Sequence, residues 1–79
     1  MSRRDKLLAK IQNGPKSVRF DELAKVLEWY GFELDRVKGS HHMYLRGVRR
    51  IVVVKRAGHV DPAAVTEVLD NIAEIEAEE

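Results

Sequence analysis

Two adjacent histidines, His41 and His42, are the residues of this chain best suited to chemistry. An imidazole readily gains or loses a proton near neutral pH, so it can serve as a general base or acid. The pair lies within residues 36–56, a segment with seven Lys or Arg residues and no Asp or Glu. An imidazole in such a positive field suits binding to, or cleavage of, a phosphodiester backbone.

The formal net charge of +1 conceals a strong asymmetry. Residues 57–79 contain seven acidic residues and neither Lys nor Arg, so the basic segment is followed by an equally acidic one. Basic segments are typical of nucleic-acid interfaces, but they also occur on ordinary solvated faces. The last residues, about 74–79, are predicted to form an acidic tail that frays.

Composition limits the class of protein. A chain of 79 residues predicts a single domain over 1–79 with a modest core. The absence of cysteine excludes a disulfide scaffold and a thiolate metal site. No apolar run approaches the roughly 20 residues that span a bilayer, and the N-terminus lacks a signal-peptide segment. We therefore expect a cytoplasmic protein with no membrane partner.

Three helices are predicted to support the histidines. Apolar residues at helical spacing predict an additional N-terminal helix over about 3–13, opened by a capping box between Ser2 and Asp5. A second helix is expected to begin at Asp21 as its N-cap. Asp61 and Pro62 are typical of the N-cap and first position of a last helix.

Three strands are predicted between the second and last helices. The segments at residues 32–37, 41–46 and 51–54 are separated by predicted turns at residues 39–40 and 47–48. Strands joined by such short links must be antiparallel. The order α-α-β-β-β-α predicts an α+β domain of two layers, with the helices on one face of a three-stranded sheet.

Alternation along the second strand separates the two histidines, because successive strand side chains point to opposite faces. His41 shares a face with Met43 and Leu45, whose apolar character favours the helix-covered face. His42 shares the other face with Tyr44 and Arg46 and is therefore favoured as the residue that contacts RNA or transfers a proton. A shift of the strand by one residue would exchange the two roles.

The other chemical possibilities are weaker. Adjacent strand histidines cannot easily chelate one metal ion, because their side chains point to opposite faces. His59 is the one other imidazole, and the basic segment contains no carboxylate that could complete a metal site. We therefore expect neither metal nor cofactor. No nucleophile elbow accompanies Ser40. The residues around the histidines that are predicted to bind RNA are Lys38, Ser40, Tyr44, Arg46, Arg49, Lys55 and Arg56.

The run Gly39-Ser40-His41-His42 resembles a motif of the HicA toxins, the mRNA-cleaving members of HicA–HicB toxin–antitoxin pairs. The segments at residues 30–34 and 49–53 support this resemblance, which covers about Asp21 to Ile72. It implies a fold similar to double-stranded-RNA-binding domains, metal-independent mRNA cleavage by a strand histidine, and inhibition by a HicB-like antitoxin that covers the site.

The resemblance leaves the choice of histidine open. The Gly-Ser-His motif matches His41, whereas members with the active histidine one place later match His42. Many members also have a histidine after the third strand, where this chain has Val54-Lys55-Arg56. If that second imidazole assists catalysis, Lys55 or Arg56 must replace it here.

Two other functions are consistent with the sequence. A non-catalytic RNA- or DNA-binding module would use the basic segment without proton transfer. A protein-interaction module would use the acidic C-terminal third to bind a basic polypeptide.

Overall fold

The computed structural model describes residues 3–78, which form three α-helices and four strands. A single 3₁₀ turn, Pro15–Ser17, connects the first two helices. The elements in chain order are α1 (Arg3–Asn13), α2 (Phe20–Trp29), β1 (Glu33–Lys38), β2 (His41–Arg46), β3 (Arg49–Arg56), β4 (His59–Val60) and α3 (Pro62–Glu78). The predicted α+β class is confirmed.

The sheet is antiparallel, and its strands lie in the order β1-β2-β3-β4. The prediction of three strands was wrong, because β4 contains only His59 and Val60 and is too short to show an alternating pattern. It can pair because β3 extends to Arg56, two residues beyond the apolar run, so that Lys55 and Arg56 lie opposite Val60 and His59.

The start of α2 differs from the prediction. The helix begins at Phe20 with Arg19 at the N-cap, and Asp21 lies in its first turn. Strand-like pairing between Arg19 and His59 holds the backbone before the helix, and the Phe20 N–H donates to the Gly58 carbonyl at 2.9 Å. The Glu22 carboxylate then accepts from the Arg19 N–H at 3.0 Å. The predicted capping box at Ser2 lies partly outside the described residues.

The last helix is longer than the sequence pattern suggests. The acidic tail is predicted to fray from about residue 74, but α3 continues through Glu78. Ile75 explains the extension, because its side chain is 1% exposed and belongs to the apolar stripe that packs on the sheet. None of the helices within residues 3–78 has the length and apolar character needed to cross a bilayer.

The core lies between the helices and one face of the sheet. Buried side chains from all three helices meet Tyr44, Ile51 and Val53 from the two central strands. The helical members of this cluster are Ile11, Leu23, Val26, Leu27, Ala64, Val65, Val68, Ile72 and Ile75. One face of the sheet is therefore covered by helices, and the opposite face stays open.

Candidate nucleic-acid interface

The turn at Gly39 and Ser40 places the two histidines at the start of β2. Gly39 has φ +60°, a conformation that costs a glycine little and most other residues more. The Ser40 carbonyl accepts the Lys55 N–H at 2.9 Å, so β2 and β3 remain paired up to the turn. Both imidazoles are thus carried by the paired end of the sheet.

The two histidines lie on opposite faces, as alternation requires, but the predicted assignment of the faces was wrong. Tyr44 is 5% exposed and lies opposite Ile51, which is fully buried, so this pair marks the helix-covered face. His42 is on that face, paired with Val53 and only partly exposed. His41 is exposed on the open face, between Lys38 of β1 and Val54 of β3.

The error has a physical origin in the apolar content of the open face. Met43 and Leu45 are half-buried there; Met43 lies opposite Val52 of β3, and Val54 is on the same face. Four apolar residues in succession on β3 give no phase information, because both faces of that strand are apolar. The buried aromatic ring of Tyr44, rather than Met43 or Leu45, packs against the helices.

His42 is held by two contacts on the covered side. Its ring centroid lies 4.6 Å from that of Phe20, the first residue of α2. Its Nδ1 lies 3.2 Å from the Ser40 carbonyl oxygen. Because a carbonyl can only accept, Nδ1 must donate this hydrogen bond, and in the neutral form of the ring the lone pair is then on Nε2. The Lys55 ammonium lies 5.1 Å from the Phe20 ring centroid.

His41 has a different environment, formed by cations on the open face. Lys38 is its direct neighbour on β1, and directly opposed residues place their Cβ atoms about 5 Å apart. Arg56 lies on the same face, two residues beyond Val54, the direct partner of His41. Lys38, His41 and Arg56 are all exposed. In this arrangement the accessible imidazole can accept a proton, and the two nearby cations can stabilise negative charge.

The remaining predicted RNA-binding residues fall into separate groups. Ser40 is exposed in the turn, and Lys55 projects toward Phe20 on the covered side. Arg46 is half-buried at the far end of β2, where Gly31 packs close to its Nε. The structure therefore divides the basic segment between two ends of the sheet.

Tyr44 and Arg49 are engaged by the protein itself. Burial raises the pKa of the Tyr44 phenol, with a smaller contribution from the Glu28 carboxylate, and it leaves the ring no free face for stacking on a base. Arg49 donates to Asn71 at 2.9 Å and to Glu78 at 3.0 Å, both on α3. The acidic end of α3 thus neutralises a cation remote from the histidines.

Sequence reasoning missed Arg19 and His59 as part of this surface. Arg19 precedes a helix, and His59 is in a two-residue strand, so neither showed a recognisable pattern. Pairing brings both next to Arg56 at the histidine end of the sheet. Within residues 3–78, the structure contains no group of three or more His, Cys, Asp or Glu residues that could hold a metal ion.

The fold and the site define a small α+β protein that presents an accessible imidazole within a cationic surface at one end of an antiparallel sheet. The family model for the HicA toxin of bacterial toxin–antitoxin systems matches residues 20–72. The chain belongs to the HicA toxin family, as the sequence motif predicted. It is thus the toxin component of a toxin–antitoxin system, and its family implies an antitoxin partner. No curated protein and no solved structure matched the chain.

Proposed function

We propose that this toxin is a metal-independent endoribonuclease that cleaves mRNA, with His41 as the general base. The observation that supports this choice is the exposure of His41 on the open face beside Lys38, with Arg56 on the same face. His41 is also the residue that matches the Gly-Ser-His motif. The accessible, cation-flanked histidine was expected to be His42, and this description now fits His41.

The proposed reaction needs only groups of the protein and the RNA, together with water. A ring nitrogen of His41 removes the proton of a ribose 2′-hydroxyl, and the 2′-oxygen attacks the adjacent phosphorus. The bond from phosphorus to the 5′-oxygen breaks, and that oxygen leaves with a proton from the His41 imidazolium or from water. The products are a 2′,3′-cyclic phosphate and a 5′-hydroxyl.

Lys38 and Arg56 stabilise the negative charge that develops on the phosphate oxygens in this reaction. General-base catalysis alone contributes about 10²–10⁴-fold to the rate. A nuclease with one imidazole of this kind is slow, but cleavage that is restricted to mRNA can still arrest growth.

His42 is the second candidate for the general base, because one observation favours it. The hydrogen bond from Nδ1 to the Ser40 carbonyl orients the ring and leaves Nε2 with its lone pair. The Lys55 ammonium, over the Phe20 ring, would then supply the positive charge. Partial burial on the helix-covered side makes His42 the less accessible of the two.

The proposal includes the fold relationship and the partners that the resemblance implies. Three helices on one face of an antiparallel sheet support a likeness to double-stranded-RNA-binding domains, which recognise RNA largely by shape. mRNA as substrate places the protein in the cytoplasm. A HicB-like antitoxin would inhibit it by covering the open face around His41.

The test uses a 5′-labelled RNA and its matched copy with a 2′-deoxyribose at the cleaved position, both with excess chelator. We expect cleavage of the first, a 2′,3′-cyclic phosphate end, and no cleavage of the second. RNA that is bound but stays intact would instead indicate the non-catalytic module. Neither binding nor cleavage would favour a protein-interaction function. Full activity in both His41→Ala and His42→Ala would exclude either residue of this pair as the essential general base.

A further inference from the structure

We infer that Arg19, Arg56 and His59 form a second binding site, which holds a backbone phosphate of the RNA beside the one that is cleaved. This inference rests on the proposed function for the identity of the ligand, but its geometry is independent of the choice of catalytic histidine. Arg19 and His59 have no role in the proposed reaction, whereas Arg56 also stabilises negative charge on the phosphate that is cleaved.

The backbone pairing aligns these residues in one row. His59 lies opposite Arg56 on one side and opposite Arg19 on the other, both in antiparallel register. Directly opposed residues point to the same face, with Cβ atoms about 4.5–5.5 Å apart. A histidine therefore lies between two arginines, on the face that also carries His41.

The row is fixed in place and accessible. The Phe20 N–H donates to the Gly58 carbonyl at 2.9 Å, which ties the start of α2 to the β3–β4 turn. The Arg19 guanidinium passes close to this turn, since a Cβ built on Gly58 would lie 3.8 Å from its Nη2. All three side chains of the row are exposed.

The acids near this row accept hydrogen bonds from groups other than the two guanidinium groups. The Glu22 carboxylate accepts from Lys10 and from the Arg19 backbone N–H, and these bonds, together with the nearby charges of Lys10 and Arg19, lower its pKa. The Asp61 carboxylate accepts from the Ala63 N–H at the start of α3. Within the described chain, neither Arg19 nor Arg56 forms an ion pair, in contrast to Arg49 with Glu74 and Glu78. The two guanidinium groups thus remain available for an anion.

The distance between the row and His41 matches the spacing of neighbouring phosphates along an RNA strand. Arg56 is one strand away from His41 and two residues further along, which corresponds to about 8 Å between their Cα atoms. His59 and Arg19 extend the row away from His41, across β4 to the segment before α2. An RNA strand whose reactive phosphate lies at His41 can therefore place a neighbouring phosphate on this row.

The experiment measures binding of a short, fully 2′-O-methylated RNA, which lacks the nucleophile and cannot be cleaved by the proposed route. Fluorescence anisotropy over a salt series compares the unmodified protein with Arg19→Gln and His59→Gln. Arg50→Gln is the matched control, because Arg50 is exposed on the same face but at the opposite end of β3. A single-strand phosphate contact contributes about 0.7 to the slope of log K against log salt.

We expect Arg19→Gln to weaken binding about 3–10-fold and to reduce this slope by about 0.7, with Arg50→Gln close to the unmodified protein. We also expect the His59 ring resonances of the unmodified protein to shift on titration with this RNA. Unchanged slopes in Arg19→Gln and His59→Gln, together with unshifted His59 resonances, would overturn the inference. Because the ligand is uncleavable, the phosphate site can pass this test even if the protein proves to have no nuclease activity.

Discussion

Substitution of each histidine in turn should separate catalysis from stability, because the two rings lie on opposite faces of β2. His42→Ala removes a ring contact with Phe20 and the hydrogen bond to the Ser40 carbonyl. An aromatic contact contributes about 0.5–1.5 kcal/mol, and a hydrogen bond of this kind contributes about 1 kcal/mol. His42→Ala should therefore lower the free energy of unfolding by about 2 kcal/mol.

That loss is large for a domain of this size. Each kcal/mol shifts Tm by about 4–8 °C in a domain of 60–100 residues, so His42→Ala should lower Tm by about 8–16 °C. His41→Ala removes an exposed ring and should change the free energy of unfolding by less than about 0.5 kcal/mol. The cleavage rate should fall about 10²–10⁴-fold in His41→Ala and stay within a few-fold of the unmodified protein in folded His42→Ala.

The assay pairs thermal unfolding, followed by circular dichroism, with cleavage of labelled RNA at a temperature where every variant is folded. His42→Phe is the control, since it preserves a ring against Phe20 but cannot donate to Ser40. It should recover the aromatic part of the lost stability. A stable but inactive His42→Ala, together with an active His41→Ala, would refute the assignment of the general base to His41.

Three further outcomes follow from buried or paired groups. Tyr44→Phe should remove a loss of stability at high pH, because burial raises the pKa of Tyr44 in the folded state. The stabilisation from the neutral phenol is complete below about pH 10 and declines as the pH rises through the raised pKa. Glu22→Gln should cost about 0.5–1 kcal/mol at pH 7, because the partly exposed Lys10 ammonium lowers the pKa of Glu22. This difference should begin to decline below the ordinary pKa of the carboxyl. It should vanish as the pH falls through the lowered pKa of the folded state. Ile75→Ala should cost about 2–4 kcal/mol, since the side chain is 1% exposed in the core.

Urea unfolding gives the free energy of unfolding for all three variants. The contribution of Tyr44 is compared at pH 8 and pH 11, and that of Glu22 at pH 7 and pH 3. An alkaline stability loss that persists in Tyr44→Phe would contradict the first expectation. A Glu22→Gln cost that is equal at both pH values would contradict the second. A loss below about 1 kcal/mol in Ile75→Ala would show that α3 frays at its end, as the sequence alone suggests.

The sequence predicted the helices and central strands because each has a clear pattern of its own. Apolar spacing identified α2 and α3, and the glycine turns identified the β1–β2 and β2–β3 hairpins. It could not predict β4, because a two-residue strand depends on a partner that is defined only in the folded chain. The N-cap at Arg19 could not be predicted for the same reason, since pairing with His59 holds Arg19 in place.

The candidate site was predicted in its residue types but not in its arrangement. His41, Lys38 and Arg56 were recognised by charge and motif, and they share the open face. The face of each histidine depended on whether Tyr44 or Met43 packs against the helices, and both are plausible core residues. Arg19 and His59 were missed because tertiary pairing, rather than chain proximity, brings them to Arg56.

The sequential order of the strands has a consequence for how the toxin is restrained. Each strand pairs with its neighbour in the chain, so the sheet forms through contacts of low sequence separation, which favours rapid folding without a template. The main phase of stopped-flow refolding of the isolated toxin should therefore be complete within about a second, whether or not antitoxin is added. If so, newly synthesised toxin reaches its folded, functional form almost as soon as it leaves the ribosome. The antitoxin must then be already abundant when translation of the toxin ends.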